Sequence, residues 1–138
     1  MQEGTSRIGG FAGETCERGD VYAADCPTRK LLDRVADKWS VLILLLLGQE
    51  AMRFNALRRR IEGVSQKMLS QTLRSLERDG LVSRTVVATV PVTVTYAITP
   101  LGSGLIGSLR SMIDWAETHM PDVAAAQRFY DDALGCGG

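Results

Sequence analysis

The sequence predicts a mainly α fold with one small β-hairpin, and three features of its 138 residues point that way. Apolar residues recur at helical spacing from Leu31 to Leu76. The period then drops to two across Leu81–Val87 and Val92–Ile98, in runs rich in valine and threonine, and turns helical again from Leu101 onward. Spacings of three to four residues mark one face of a helix, and strict alternation marks a strand.

Residues 1–24 are rich in glycine, serine, threonine and charge without apolar periodicity, so they read as a flexible arm. Order is expected from Asp25-Cys26-Pro27, with Asp25 as the cap and the proline in the first turn, where it forfeits no hydrogen bond. Leu31, Leu32, Val35 and Ala36 then share a face. Trp39 opens a second helix, apolar nearly all round through Leu47, which must be buried on several sides. Gly48 stops it.

A short helix is expected over Arg53–Arg60, with Phe54, Leu57 and Ile61 facing inward. After Gly63, Ser65 is a good N-cap for a helix over Gln66–Asp79, and Gly80 a good C-cap. Leu69, Leu73 and Leu76 form its buried stripe. At 100° per residue, Lys67, Ser70, Gln71, Arg74 and Arg78 lie opposite. The two alternating runs make the hairpin, joined through Ala88–Pro91. Thr99-Pro100 opens a helix of about twenty residues. Pro121 is expected to start a separate last helix to about Leu134, and residues 135–138 a loose tail. A short helix, a break, a polar-faced helix and a hairpin form a winged helix-turn-helix. One domain over residues 25–134 accommodates it.

Net charge is zero, but its distribution is uneven. Residues 1–52 carry six basic and eight acidic side chains, net −2. Residues 53–84 carry eight basic against three acidic, net +5, and residues 85–138 two against five, net −3. A basic block with acidic flanks suits a polyanionic partner. The first 25 residues lack the apolar stretch of a secretory signal. The longest apolar run, Val41–Leu47, is far short of the roughly 20 residues that span a bilayer. A cytoplasmic protein without membrane contact is expected, and its three cysteines are expected to rest as free thiols.

The chemistry agrees with a DNA reader. Amides and guanidinium groups match the major-groove edges of adenine and guanine, while lysine and arginine neutralise phosphates. Gln66, Lys67, Ser70 and Gln71 are candidates for base edges and Arg74 for phosphate or guanine. Arg53, Asn55, Arg58 and Ser65 complete the expected surface, with Arg84 and Thr89 from the hairpin. An enzyme is not expected. One histidine, no CxxC pair and no glycine-rich phosphate loop leave no metal cluster, cofactor site or nucleophile–base pair. His119 reads as an exposed residue near a helix C-terminus, and Trp39 and Trp115 as core or dimer anchors. Cys26 has two readings. It is a thiol activated by a helix N-terminus and by Arg29 and Lys30, or a small buried apolar side chain. Cys16 and Cys136 are candidates for intersubunit disulfides.

These residues also carry a family likeness. Cys26-Pro27, Asp37-Lys38-Trp39, Arg53-Phe54 with Leu57-Arg58-Arg59, Gly63-Val64-Ser65 with Lys67-Met68-Leu69, Leu76-Glu77 with Asp79-Gly80-Leu81-Val82, Val90-Pro91, and Tyr96 with Thr99 and Leu101-Gly102 occur in that order. Together they resemble the HxlR-type bacterial transcriptional regulators, from about residue 26 to residue 119. The resemblance implies a homodimer built by the first and last helices, with Leu31, Leu32, Val35, Leu109, Met112, Ile113 and Trp115 as interface candidates. It implies two recognition helices on a palindromic double-stranded operator, with half-sites about one turn apart. It also implies an electrophile or oxidant signal at the cysteine before the proline, here Cys26. The sequence departs from the family at the wing, where Ala88–Thr93 carries no charge and Arg84 is the nearby basic residue.

The expected function is therefore sequence-specific transcriptional regulation, as a repressor, switched at Cys26 or by a small-molecule effector. The rival reading is a winged helix that binds protein instead of DNA.

Overall fold

The computed structural model describes residues 21–137. Among these residues, five helices and three strands follow in the order α1 (Pro27–Val35), α2 (Lys38–Leu47), β1 (Met52–Arg53), α3 (Phe54–Arg60), α4 (Gln66–Arg78), β2 (Val82–Val87), β3 (Thr93–Ile98) and α5 (Pro100–Gly137). The expected fold class holds. Helices surround one small antiparallel sheet, ordered β1-β3-β2.

The centre of the domain is α2. Asp37 caps it by accepting a hydrogen bond from the Trp39 N–H at 3.1 Å. Its length of leucine and isoleucine touches α1, α4, α5 and β3, which is why it needs no polar face. Ile43, Leu44 and Leu47 pack with Leu57 of α3, Leu69, Leu73 and Leu76 of α4, and Val82 of β2.

The helix-turn-helix is α3 and α4, joined through residues 61–65. Ser65 caps α4 as expected, its hydroxyl accepting from the Met68 N–H at 3.1 Å. The helix closes one residue early, with Asp79 as its C-cap. Gly80 follows at φ +80°, a left-handed conformation that other residues adopt at a cost. From there the chain turns directly into the wing. Leu81 N–H bonds back to the Leu76 carbonyl at 3.0 Å.

In the hairpin, Val82 pairs with Ile98, Arg84 with Tyr96 and Val86 with Val94. Thr99 then ties three elements together. Its hydroxyl donates to the Gly80 carbonyl at 2.6 Å and accepts from the Gly102 N–H at 3.0 Å, capping α5. Gly102 sits so close to the strand that a Cβ there would overlap the Leu81 carbonyl oxygen.

Four features differ from the sequence-based expectation. The cap of α1 is Cys26, without a side-chain hydrogen bond, so Asp25 does not cap it. Arg53 is not helical but lies in β1, where it pairs with Thr95 as Met52 pairs with Tyr96. The last two helices are one, with Pro121 inside it, and the helix continues through Gly137 where a tail from residue 135 is expected. An internal proline removes one hydrogen bond and costs about 3 kcal/mol. The flanking runs of good helix formers, such as Ala124–Gln127, offset that locally. His119 is consequently mid-helix. It stacks on Trp115 with ring centroids 4.5 Å apart, and its Nδ1 lies 2.9 Å from the Trp115 carbonyl oxygen. The expected arm falls mostly on residues 1–20, outside the described residues.

Candidate nucleic-acid interface

With Leu69, Thr72, Leu73 and Leu76 packed inward, α4 turns its remaining side chains outward. Gln66, Lys67, Gln71 and Arg74 are exposed and Ser70 is half-buried. Ser65 stands at the start of the same helix, its hydroxyl already engaged as the cap.

Arg53, Asn55 and Arg58 are exposed on β1 and α3, as are Arg59 and Arg60. Arg84 is exposed on β2. None of these arginines, nor Lys67 or Arg74, has a carboxylate oxygen within 4 Å among the described residues. Cations that the fold leaves unneutralised are available to an outside anion. Thr89, expected on the DNA-facing surface, donates its hydroxyl to the Pro91 carbonyl at 2.8 Å, inside its own wing. The wing beyond it is apolar, with Val86, Val87, Val90 and Val92 exposed.

The wing base and α4 enclose a notch of about 350 Å³, lined by Ser70, Arg74, Glu77, Arg84 and Tyr96. Strand register explains the grouping. Val82 faces the core, so Arg84, two residues on, leans to the same side, opposite Tyr96 and over the outer half of α4. Sequence reasoning missed Glu77 and Tyr96. The signal was the alternation Val92, Val94, Tyr96, Ile98, which places Tyr96 on the face of Arg84 once the hairpin is paired.

One ion pair anchors the far end of α4. Arg34, in the last turn of α1, donates from Nε to Oδ2 of Asp79 at 2.6 Å and from Nη2 to Oδ1 at 2.9 Å. This pairing holds the Arg34 guanidinium above its usual pKa, chiefly through the side-chain hydrogen bond to Asp79.

At the other end of α1, Cys26 is buried and disulfide-bonded. This corrects the expectation of free thiols. An odd number of cysteines rules out complete pairing within a chain but permits one bond. The remaining cysteines, Cys16 and Cys136, have side chains outside the described ones.

The interface candidates divide. Val35 and Leu109 are only 7% and 4% exposed and belong to the subunit's own core. Ile113 is half-buried against that core. Leu31, Leu32, Met112 and Trp115 are exposed, Trp115 at 59%. Trp39 packs against the core, with Lys38 Nζ 4.6 Å from its ring centroid. Among the described residues, no group of three or more His, Cys, Asp and Glu side chains could hold a metal ion. No helix among them is long and apolar enough to cross a membrane.

Comparison with known proteins adds the lineage. The chain is 41% identical over 111 residues to an uncharacterised HTH-type transcriptional regulator of Escherichia coli K12, YtfH. That match covers 80% of this chain and 88% of the relative. A solved structure of ytfH from Salmonella typhimurium, assigned as a transcriptional regulator, superposes with a TM-score of 0.76 at 40% identity, covering 80% of this chain and 99% of that one. The oxidised form of the redox regulator HypR superposes with a TM-score of 0.63 at 35% identity, covering 67% and 96%. Residues 34–124 match the HxlR-like helix-turn-helix family, and the chain belongs to it.

Proposed function

We propose that the protein is a transcriptional regulator that binds a palindromic double-stranded operator as a homodimer and acts as a repressor. The observation that carries this is the outward face of α4. Gln66, Lys67, Gln71 and Arg74 stand free beside cations that the fold leaves unpaired. Amides and guanidinium groups at that density fit major-groove edges and flanking phosphates. The exposed Leu31 and Leu32 of α1 and Met112 and Trp115 of α5 supply an apolar surface for a second copy. Two-fold symmetry would then present two α4 helices to two half-sites.

Band-shift titration on the promoter of the protein's own gene and its neighbours tests the reading. A dimer with about six to ten phosphate contacts should lose roughly 10³–10⁵ in affinity between about 50 and 200 mM salt. Absence of retardation at low salt would leave the rival, a winged helix that binds protein.

The disulfide at Cys26 favours a thiol signal. Two thiols would pass two electrons and two protons to a quinone or hypochlorite and close the bond, altering the start of α1. Only a difference in DNA affinity between the two redox forms makes this a switch. Cys26→Ser should abolish oxidant-dependent release of DNA. Release that persists in this variant removes Cys26 from the mechanism.

A further inference from the structure

The notch at the wing base gathers side chains from α4 and from the hairpin around one cavity. Its five lining side chains are all polar, and none of them makes a hydrogen bond or ion pair with any described residue. Two guanidinium groups share it, Arg74 from α4 and Arg84 from β2. Two like charges gathered at one cavity repel each other until an anion enters. Ser70 and Tyr96 add hydroxyl donors from a helix and from the central strand.

We propose that this notch is the seat of a single phosphate, held jointly by Arg74 and Arg84 with the Ser70 and Tyr96 hydroxyls. The proposal rests on the DNA-binding reading and commits to a phosphodiester of the DNA backbone. Ser70, Arg74 and Glu77 of its lining lie on α4, the helix that carries Gln71, so a strand whose bases meet Gln71 would run close to it. A cavity of about 350 Å³ takes a phosphate together with parts of its flanking sugars. Two arginines from different elements on one phosphate would fix the wing relative to α4 on the duplex, a task that the uncharged wing tip cannot perform electrostatically. Glu77 is the unfavourable member of the lining, and its carboxylate opposes the anion.

The test is the salt dependence of DNA binding by full-length protein. Each neutralised phosphate contributes about 0.9 to the slope of log K against log salt. Arg74→Gln and Arg84→Gln together are expected to reduce that slope by about 0.9 per subunit, about 1.8 for the dimer, because they serve one phosphate in each subunit. Arg74→Lys with Arg84→Lys, which keeps both charges, should retain the slope. Glu77→Gln should tighten binding severalfold. A loss of about 3.6 for the dimer, shared equally by the single variants, would mean two separate phosphates per subunit and overturn the seat. So would an unchanged slope in the double glutamine variant, or weaker binding by Glu77→Gln. Failure of the wild-type protein to bind any DNA is a different result, which removes the DNA-binding reading and this seat with it. Phosphorus NMR of a nucleoside monophosphate without DNA separates the two sources of phosphate. No binding specific to the wild-type protein is expected. Saturable binding that disappears in the double glutamine variant would assign the notch to a free phosphorylated ligand and overturn the DNA assignment.

Discussion

Arg34 grips Asp79 at two points, and the two residues are 45 positions apart in sequence. Arg34 closes α1, whose first turn follows the disulfide-bonded Cys26. Asp79 closes α4, whose outer face carries Gln71 and Arg74. Bidentate arginine–carboxylate pairs fix orientation as well as distance. The cysteine end of the molecule is therefore joined to the helix-turn-helix by one short rigid connection.

Breaking that connection should be felt twice. Arg34→Ala leaves the Asp79 carboxylate, 7% exposed, without its partner. A loss of about 1–3 kcal/mol is expected in urea unfolding. Asp79→Asn should cost less, since it leaves no buried charge behind. Any oxidant response at Cys26 should weaken in both variants, and a full response in Arg34→Ala would rule out this route.

Gly102→Ala tests how tightly the wing is seated on α5. The added methyl meets the Leu81 carbonyl, which is backbone and cannot rotate away. Overpacking of this kind costs about 1–3 kcal/mol. Thermal unfolding should show the loss. Gly107→Ala, with open space around its Cβ position, should stabilise instead.

On DNA, Gln71→Ala and Arg58→Ala should separate by type. Removing the amide should cost about 1–3 kcal/mol on the preferred sequence and little elsewhere. Removing Arg58 should weaken all sequences alike and lower the salt slope by about 1 per subunit, about 2 for the dimer. Binding to operator and scrambled duplexes at several salt concentrations reads both. An Arg58 variant with altered sequence preference would move α3 from the backbone to the bases.

Leu32→Asp and Trp115→Ala address association. Both side chains are exposed in the isolated subunit, so neither change should disturb its core. Sedimentation should show a shift toward monomer, and DNA affinity should fall with it. A Trp115→Ala protein that sediments as wild type would place the interface elsewhere on α5.

The sequence was most legible where structure is decided locally. The Ser65 cap, the leucine stripe of α4, the hairpin alternation and the Thr99-Pro100 start of α5 all use signals within a few residues. It was least legible where distant segments meet. β1 has two residues and exists because Met52 and Arg53 find Tyr96 and Thr95. Nothing in Met52-Arg53 alone announces a strand. Arg34–Asp79 is hidden for the same reason, and so is the joining of Glu77 and Tyr96 into the notch. Pro121 misled in the opposite sense, because its local signal to stop is strong and the helix overrides it.

The length of α5 bears on how the protein behaves as a population of molecules. Its 38 residues extend about 57 Å at 1.5 Å per residue. Leu109 in its first half is sealed into the core, whereas Phe129, Tyr130 and Leu134 near its end are open to water. A lone subunit thus carries a stretch of helix that its own core does little to hold. If a second copy covers that stretch, pairing would add to the stability of this end of α5, and the melting temperature should climb as the protein is concentrated. The amount of protein present would then set how much of α5 is held at its far end, before any signal acts.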